Sequence, residues 1–146
     1  MVPKFMGIAL ALASMAGIAH AEKTASAKAD VLVRTDASWN GVAYTAYTTG
    51  RPELTVLKMT IPAHTALPWH THPIPNAAYV LSGSITVEDK ASGRKQAFHA
   101  GEALAEEVGQ VHRGVTGDEP AVLVVTYAGT PGTPTFVPEQ GQKPEY

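Results

Sequence analysis

His70-Thr71-His72-Pro73-Ile74-Pro75-Asn76-Ala77-Ala78-Tyr79-Val80-Leu81-Ser82-Gly83 joins an H-x-H pair to a run of strand-forming residues that stops on a Ser-Gly turn. In an extended chain, residues two apart project from the same face, so His70 and His72 can present two imidazoles to one point. The same punctuation continues outward from this stretch. Val31-Leu32-Val33, Leu54 to Ile61, Ser84 to Glu88 and Ala121 to Tyr127 are short runs rich in Val, Ile, Thr and Tyr. Trp39-Asn40-Gly41, Gly50-Arg51-Pro52, Ala91-Ser92-Gly93 and Gly117-Asp118-Glu119-Pro120 separate them, and such clusters mark turns. Leu57, Met59 and Ile61 fall on one face of their run, with Lys58 and Thr60 on the other. Ile85 and Val87 alternate in the same way with Thr86 and Glu88. This is the period of a half-buried strand. Asp89 to Gly93 reads as a hairpin loop from which Arg94 to Phe98 returns. Glu102 to Val108 is the one helix-compatible stretch, and Gly101 and Gly109 bracket it too closely for a stable helix. Many short strands at turn-marked intervals predict an all-β sandwich or barrel.

The chain has 146 residues, the size of one domain. Its formal net charge of −2 and the lack of any basic stripe, Arg94-Lys95 being the sole adjacent basic pair, argue against a nucleic-acid partner. It has no cysteine, which excludes disulfides, thiolate metal sites and cysteine nucleophiles. Residues 1–21 read as a signal peptide. Lys4 precedes an uncharged run from Phe5 to Ile18, and Ala19-His20-Ala21 supplies the small-x-small cleavage pattern, with Glu22 as the new amino terminus. The run is shorter than the ~20 residues of a spanning helix. The mature protein is therefore expected to be periplasmic or secreted, with no stable membrane anchor after signal cleavage. Residues 22–30 are expected as a flexible leader and 31–128 as the barrel. Residues 129–146, with Pro131, Pro134, Pro138 and Pro144, are expected as a tail of irregular surface chain.

A third ligand to match His70 and His72 must come from elsewhere, and His112, following Gly109-Gln110-Val111, is the candidate. Alone, an H-x-H pair is as readily two surface histidines. The surrounding spacing is more specific. His70-x-His72-x3-Asn76-x6-Gly83 is followed by Gly101-x5-Glu107-x-Gly109-x2-His112-x3-Thr116. This resembles the two motifs of the cupin superfamily, G-x5-H-x-H-x3,4-E-x6-G and G-x5-P-x-G-x2-H-x3-N. Tyr79-Val80-Leu81-Ser82-Gly83 is similar to the run that closes the first motif. The resemblance covers His64 to Thr116, and the strand pattern extends it to about Val31 to Tyr127. It implies a single-domain jelly roll, the cupin double-stranded β-helix. It also implies a divalent transition metal (Zn, Cu, Fe, Mn or Ni) on His70, His72 and His112, and a homodimer as one assembly. Four positions depart from the pattern: His64 stands for Gly, Asn76 for Glu, Glu107 for Pro and Thr116 for Asn.

Asn76 cannot carry over the family's anionic ligand. It offers a neutral oxygen and an NH2 donor, suited to a weak fourth ligand, to holding a water or substrate, or to satisfying backbone groups near Pro73 and Pro75. Glu106 and Glu107 are the carboxylates nearest His112 in sequence. Either could supply a base or an extra ligand, though such charge pairs are more often solvated. Tyr79, Tyr127 and Trp69 are candidates for pocket lining or core filling. His99 is expected at the surface, and His64 in a turn or behind the ligands.

Three functions follow. One is a metal-dependent dioxygenase or related enzyme acting on a small organic acid or phenolic. A second is a non-catalytic metal- or small-ligand-binding protein of the cell envelope, favoured by the missing family carboxylate and the absence of an obvious nucleophile. A third is a merely structural barrel, disfavoured by the complete histidine set.

Overall fold

A computed structural model describes residues 26–144. The expected signal peptide lies outside the described residues. Among the described residues nine strands follow in order: β1 Glu53–Ile61, β2 His70–Thr71, β3 Asn76–Ser82, β4 Ser84–Asp89, β5 Lys95–His99, β6 Ala103–Ala105, β7 His112–Val115, β8 Ala121–Gly129 and β9 Val137–Pro138. They form two antiparallel sheets, β1-β8-β3-β6 and β5-β4-β7-β2-β9, giving the jelly-roll barrel. Among the described residues no helix is long and apolar enough to cross a membrane.

The alternation read from the sequence sets which side chains fill the interior. Along β8, Ala121, Leu123, Val125 and Tyr127 are buried, while Val122, Val124, Thr126 and Ala128 face outward. Ala78 and Val80 of β3 sit beside them, and Ile85, Val87 and Phe98 come from the opposite sheet. Burying each of the larger ones, such as Val80, Ile85, Phe98 or Leu123, stabilises the fold by about 1.5–3 kcal/mol. Gly83 makes the β3–β4 turn at φ 71°. A Cβ there would lie 2.1 Å from the Pro120 carbonyl oxygen, so only glycine fits.

Two expectations about the ends of the barrel are corrected. Val31-Leu32-Val33 forms no strand and is exposed, at 66%, 56% and 39%. Its β-forming composition finds no neighbouring strand to pair with, and strand propensity without a partner has little force. The Pro-rich tail is not plain irregular surface chain either. Val137–Pro138 pairs with Thr71 and His70, at the outer edge of the five-stranded sheet, where a proline is tolerated because one ladder side is unpaired. Further in, residues 36–44 close one flank of the barrel. Trp39 N–H donates to the Ala105 carbonyl, and Asn40 is buried with its amide on Asp89 and Gln110.

Candidate metal centre

The site is built where β2 crosses β7. His70 is the direct antiparallel partner of His112, so both side chains emerge on one face of the sheet. His72 follows two residues later on that face and bridges Val108 just before the Gly109 turn. Gly109 has φ 73° and donates its N–H to the His72 carbonyl. This turn carries the chain back to His112. The three rings are buried and form a near-equilateral triangle, with centroids 4.6, 4.8 and 4.9 Å apart.

Their tautomers are fixed by what surrounds them. Nδ1 of His70 faces the Pro68 carbonyl at 2.8 Å, Nδ1 of His72 the Thr135 carbonyl at 2.6 Å, and Nδ1 of His112 the Gln110 carbonyl at 3.0 Å. A carbonyl only accepts, so each Nδ1 carries the proton, and each Nε2 is left to face the centre. The Nε2 atoms of His70 and His72 lie 3.3 Å apart. His112 Nε2 is buried with no hydrogen-bond partner among the described residues. Two imidazole lone pairs held that close repel unless a proton or a cation lies between them. Donors about 2.0–2.1 Å from a tetrahedral ion stand roughly 3.3 Å apart. The orphaned nitrogen and the spacing both fit a metal ion, and ligand atoms of the three histidines fall within 4.8 Å of one another.

A carboxylate completes the group, and it is Glu106. Its Oε2 is 2.7 Å from His72 Nε2 and 3.7 Å from His112 Nε2. Glu106 is the first residue after β6, and its backbone is pinned on both sides. Its N–H donates to the Asn76 carbonyl, and its carbonyl accepts the Tyr44 hydroxyl at 2.6 Å. Burial and the nearby Glu106 carboxylate push the Tyr44 phenol up to about 12, so it stays a donor. Burial alone would raise the Glu106 carboxyl, but His112 and His72 beside it outweigh that and hold it well below the usual carboxylate range. Burial, with His112 and His72 beside it, pushes His70 down to about 3 and keeps it neutral. His112 moves the other way: burial would lower it, but Glu106 raises it.

Glu107 faces elsewhere. It is fully buried on the Nδ1 side of His112, with Oε2 3.8 Å from that nitrogen. Burial, with Asp89 beside it, pushes its carboxyl up to about 7. It is no solvated loop residue. Asn76 is buried too. Its amide donates to the Ile74 carbonyl at 3.4 Å and its side-chain oxygen has no partner among the described residues, so its side chain makes no hydrogen bond to the histidines or to Glu106. His64 lies on the surface in a left-handed turn, φ 53°. That backbone explains why the family pattern has glycine at this position. Thr116, in the place of the family's Asn, ties the same loop down by donating to the Pro62 carbonyl at 2.6 Å and accepting from Thr65 N–H. His99 is exposed, as expected. Of the aromatic candidates, Tyr127 lines the chamber and meets the His72 ring edge-on. Trp69 instead stacks under Arg113.

The chamber below the histidines is apolar. Met59, Ile61, Leu67, Ile85, Leu123 and Val125 contribute to its walls, and its polar side chains among the described residues are the three histidines, Glu106 and the Tyr127 phenol. It leaves room of about 40 Å³ for the centres of water-sized molecules, enough for about three waters.

Residues 57–127 match the Cupin domain family. The barrel has the cupin jelly-roll fold. Solved structures with the same fold include the polyketide cyclase RemF from Streptomyces resistomycificus, at 23% identity and TM-score 0.51 over 58% of this chain and 59% of that one. The DMSP lyase DddQ from Ruegeria pomeroyi DSS-3 matches at 22% identity and TM-score 0.50, over 56% and 41%. A cupin-like protein from Thermotoga maritima matches at 12% and TM-score 0.51, over 59% and 64%. This chain thus spans less than two thirds of each of these chains. No curated protein matches the sequence.

Proposed function

We propose that this cupin holds one divalent transition-metal ion on Nε2 of His70, His72 and His112, with the Glu106 carboxylate as fourth donor. On this reading it acts as a metal-dependent enzyme on a small molecule bound in the apolar chamber. The observation that carries the reading is the convergence of three buried Nε2 atoms whose Nδ1 protons are all engaged by backbone carbonyls. Imidazole nitrogen with one carboxylate suits Zn, Cu, Ni, Fe or Mn. Such an ion would supply Lewis acidity and orient an oxygen-bearing head group.

The chain's own residues limit what enters. Among the described residues the chamber is lined by no lysine or arginine and by one carboxylate, which disfavours phosphorylated or polyanionic substrates. It suits a molecule with a single metal-seeking head, such as a carboxylate, enol or phenol, on a short apolar body. Glu106, adjacent to the ligand nitrogens, is the group able to accept a proton from that head. Export through the segment 1–21 would place loading of the site in the periplasm or outside the cell. Its direct check is the amino terminus of the mature protein, expected at Glu22.

Metal analysis of the protein, followed by turnover assays on small carboxylic acids and phenols with and without chelator, tests the function. Turnover lost on chelation and in His112→Ala supports an enzyme. Ligand-dependent thermal stabilisation with no product identifies a binding protein in its place.

A further inference from the structure

β2, which begins the H-x-H pair, is only two residues long. On one side it pairs with β7 at a single position, His70 with His112. On the other side its partner is β9, in the carboxy-terminal tail. Successive tail residues grip successive residues of the ligand segment. The Glu139 N–H donates to the Trp69 carbonyl at 2.9 Å. Pro138 and Val137 lie opposite His70 and Thr71. The Phe136 ring packs on the His70 ring, centroids 4.6 Å apart. The Thr135 carbonyl accepts the Nδ1 proton of His72 at 2.6 Å. Beyond these contacts, Lys90 pairs with Glu139 and anchors the far end.

The His72 partner differs in kind from the other two. Pro68 and Gln110, whose carbonyls hold His70 and His112, are each two residues from the ring they fix. Thr135 is 63 residues from His72. The orientation of His72 therefore depends on a separate element being docked, and that element is the outermost strand of its sheet. Edge segments with few bonds are where local opening is cheapest. Undocking would leave a buried Nδ1 proton without an acceptor and free the ring to turn.

Resting on the metal reading above, we propose that Thr135–Glu139 is a positioning strap whose docking is thermodynamically coupled to occupancy of the metal site. A backbone acceptor on the remote ring nitrogen sets the tautomer and basicity of a ligand histidine, and its loss typically costs about 10–100-fold in metal affinity. Coupling between two equilibria is reciprocal. An ion bound to His70 and His72 must stabilise the docked strap by the factor through which the strap raises metal affinity.

The test uses the full-length chain with Zn(II) as probe. Amide hydrogen exchange at Glu139, whose N–H bonds the Trp69 carbonyl, is compared with and without one equivalent of zinc. Slowing by about 10–100-fold on zinc binding is expected. Zinc binding with unchanged exchange overturns the strap and leaves the metal reading intact, whereas a chain that takes up no zinc overturns both. In parallel, Phe136→Ala is expected to weaken zinc binding and alter the visible spectrum of the Co(II)-substituted protein, with Phe136→Leu restoring both. Equal affinity and identical spectra in all three proteins would overturn the proposal.

Discussion

The two sides of His112 make an instructive contrast. On the Nε2 side, Glu106 shares a chamber with three histidine Nε2 atoms and is held ionised by His112 and His72. On the Nδ1 side, Glu107 is sealed, faces Asp89, and is pushed up to about 7 by burial. The two glutamates are adjacent in sequence and chemically identical. What separates them is the extended backbone after β6, which sends neighbouring side chains to opposite faces. One carboxylate therefore serves the site as an anion, and the other is held in the wall behind it.

The largest expected effect is on the shared residue. His112→Ala removes the orphaned buried Nε2 and should abolish stoichiometric metal binding, checked by metal analysis of the dialysed protein. Next, Glu106→Gln keeps shape but removes the charge, and should weaken zinc affinity at least about tenfold, or ~1.4 kcal/mol, in a competition titration. Glu107→Gln should leave that affinity unchanged. If Glu107→Gln proved the more damaging of the two, the assignment of faces would be reversed. The smallest effect lies farther out, at Glu88, which accepts from Lys95 and Arg113. Hydrogen bonds from these residues hold its folded carboxyl below its ordinary value of 4.5 despite burial. Its contribution to stability is then fully present above that value and is lost as pH falls through the lower folded one. Urea unfolding should show Glu88→Gln less stable than wild type at pH 7, with the difference shrinking below about pH 4.5.

The barrel and the three histidines are legible in the sequence because both rest on regular spacing. Period-two alternation places Leu57, Met59 and Ile61 on one face, and the same rule puts His70 beside His72. His112 is reached through the Gly101–Gly109–His112 spacing, which the Gly109 turn realises in space. The choice between Glu106 and Glu107 is not legible, since it depends on β6 ending at Ala105 and not on any property of the pair. Nor is the role of Thr135 and Phe136. Their contacts come from an irregular Pro-rich segment with no periodicity, and the bond to His72 is made by a backbone carbonyl, which leaves no mark on side-chain identity. Val31-Leu32-Val33 shows the converse failure, a strand-like composition with no sheet edge to join.

Nitrogen-15 NMR of the histidine side chains, recorded before and after one equivalent of Zn(II), tests the central claim most directly. The account predicts that His70, His72 and His112 each keep a protonated Nδ1 and that all three Nε2 resonances shift together on binding a single ion. Zinc uptake that leaves those Nε2 resonances unmoved, or no uptake at all, would contradict it.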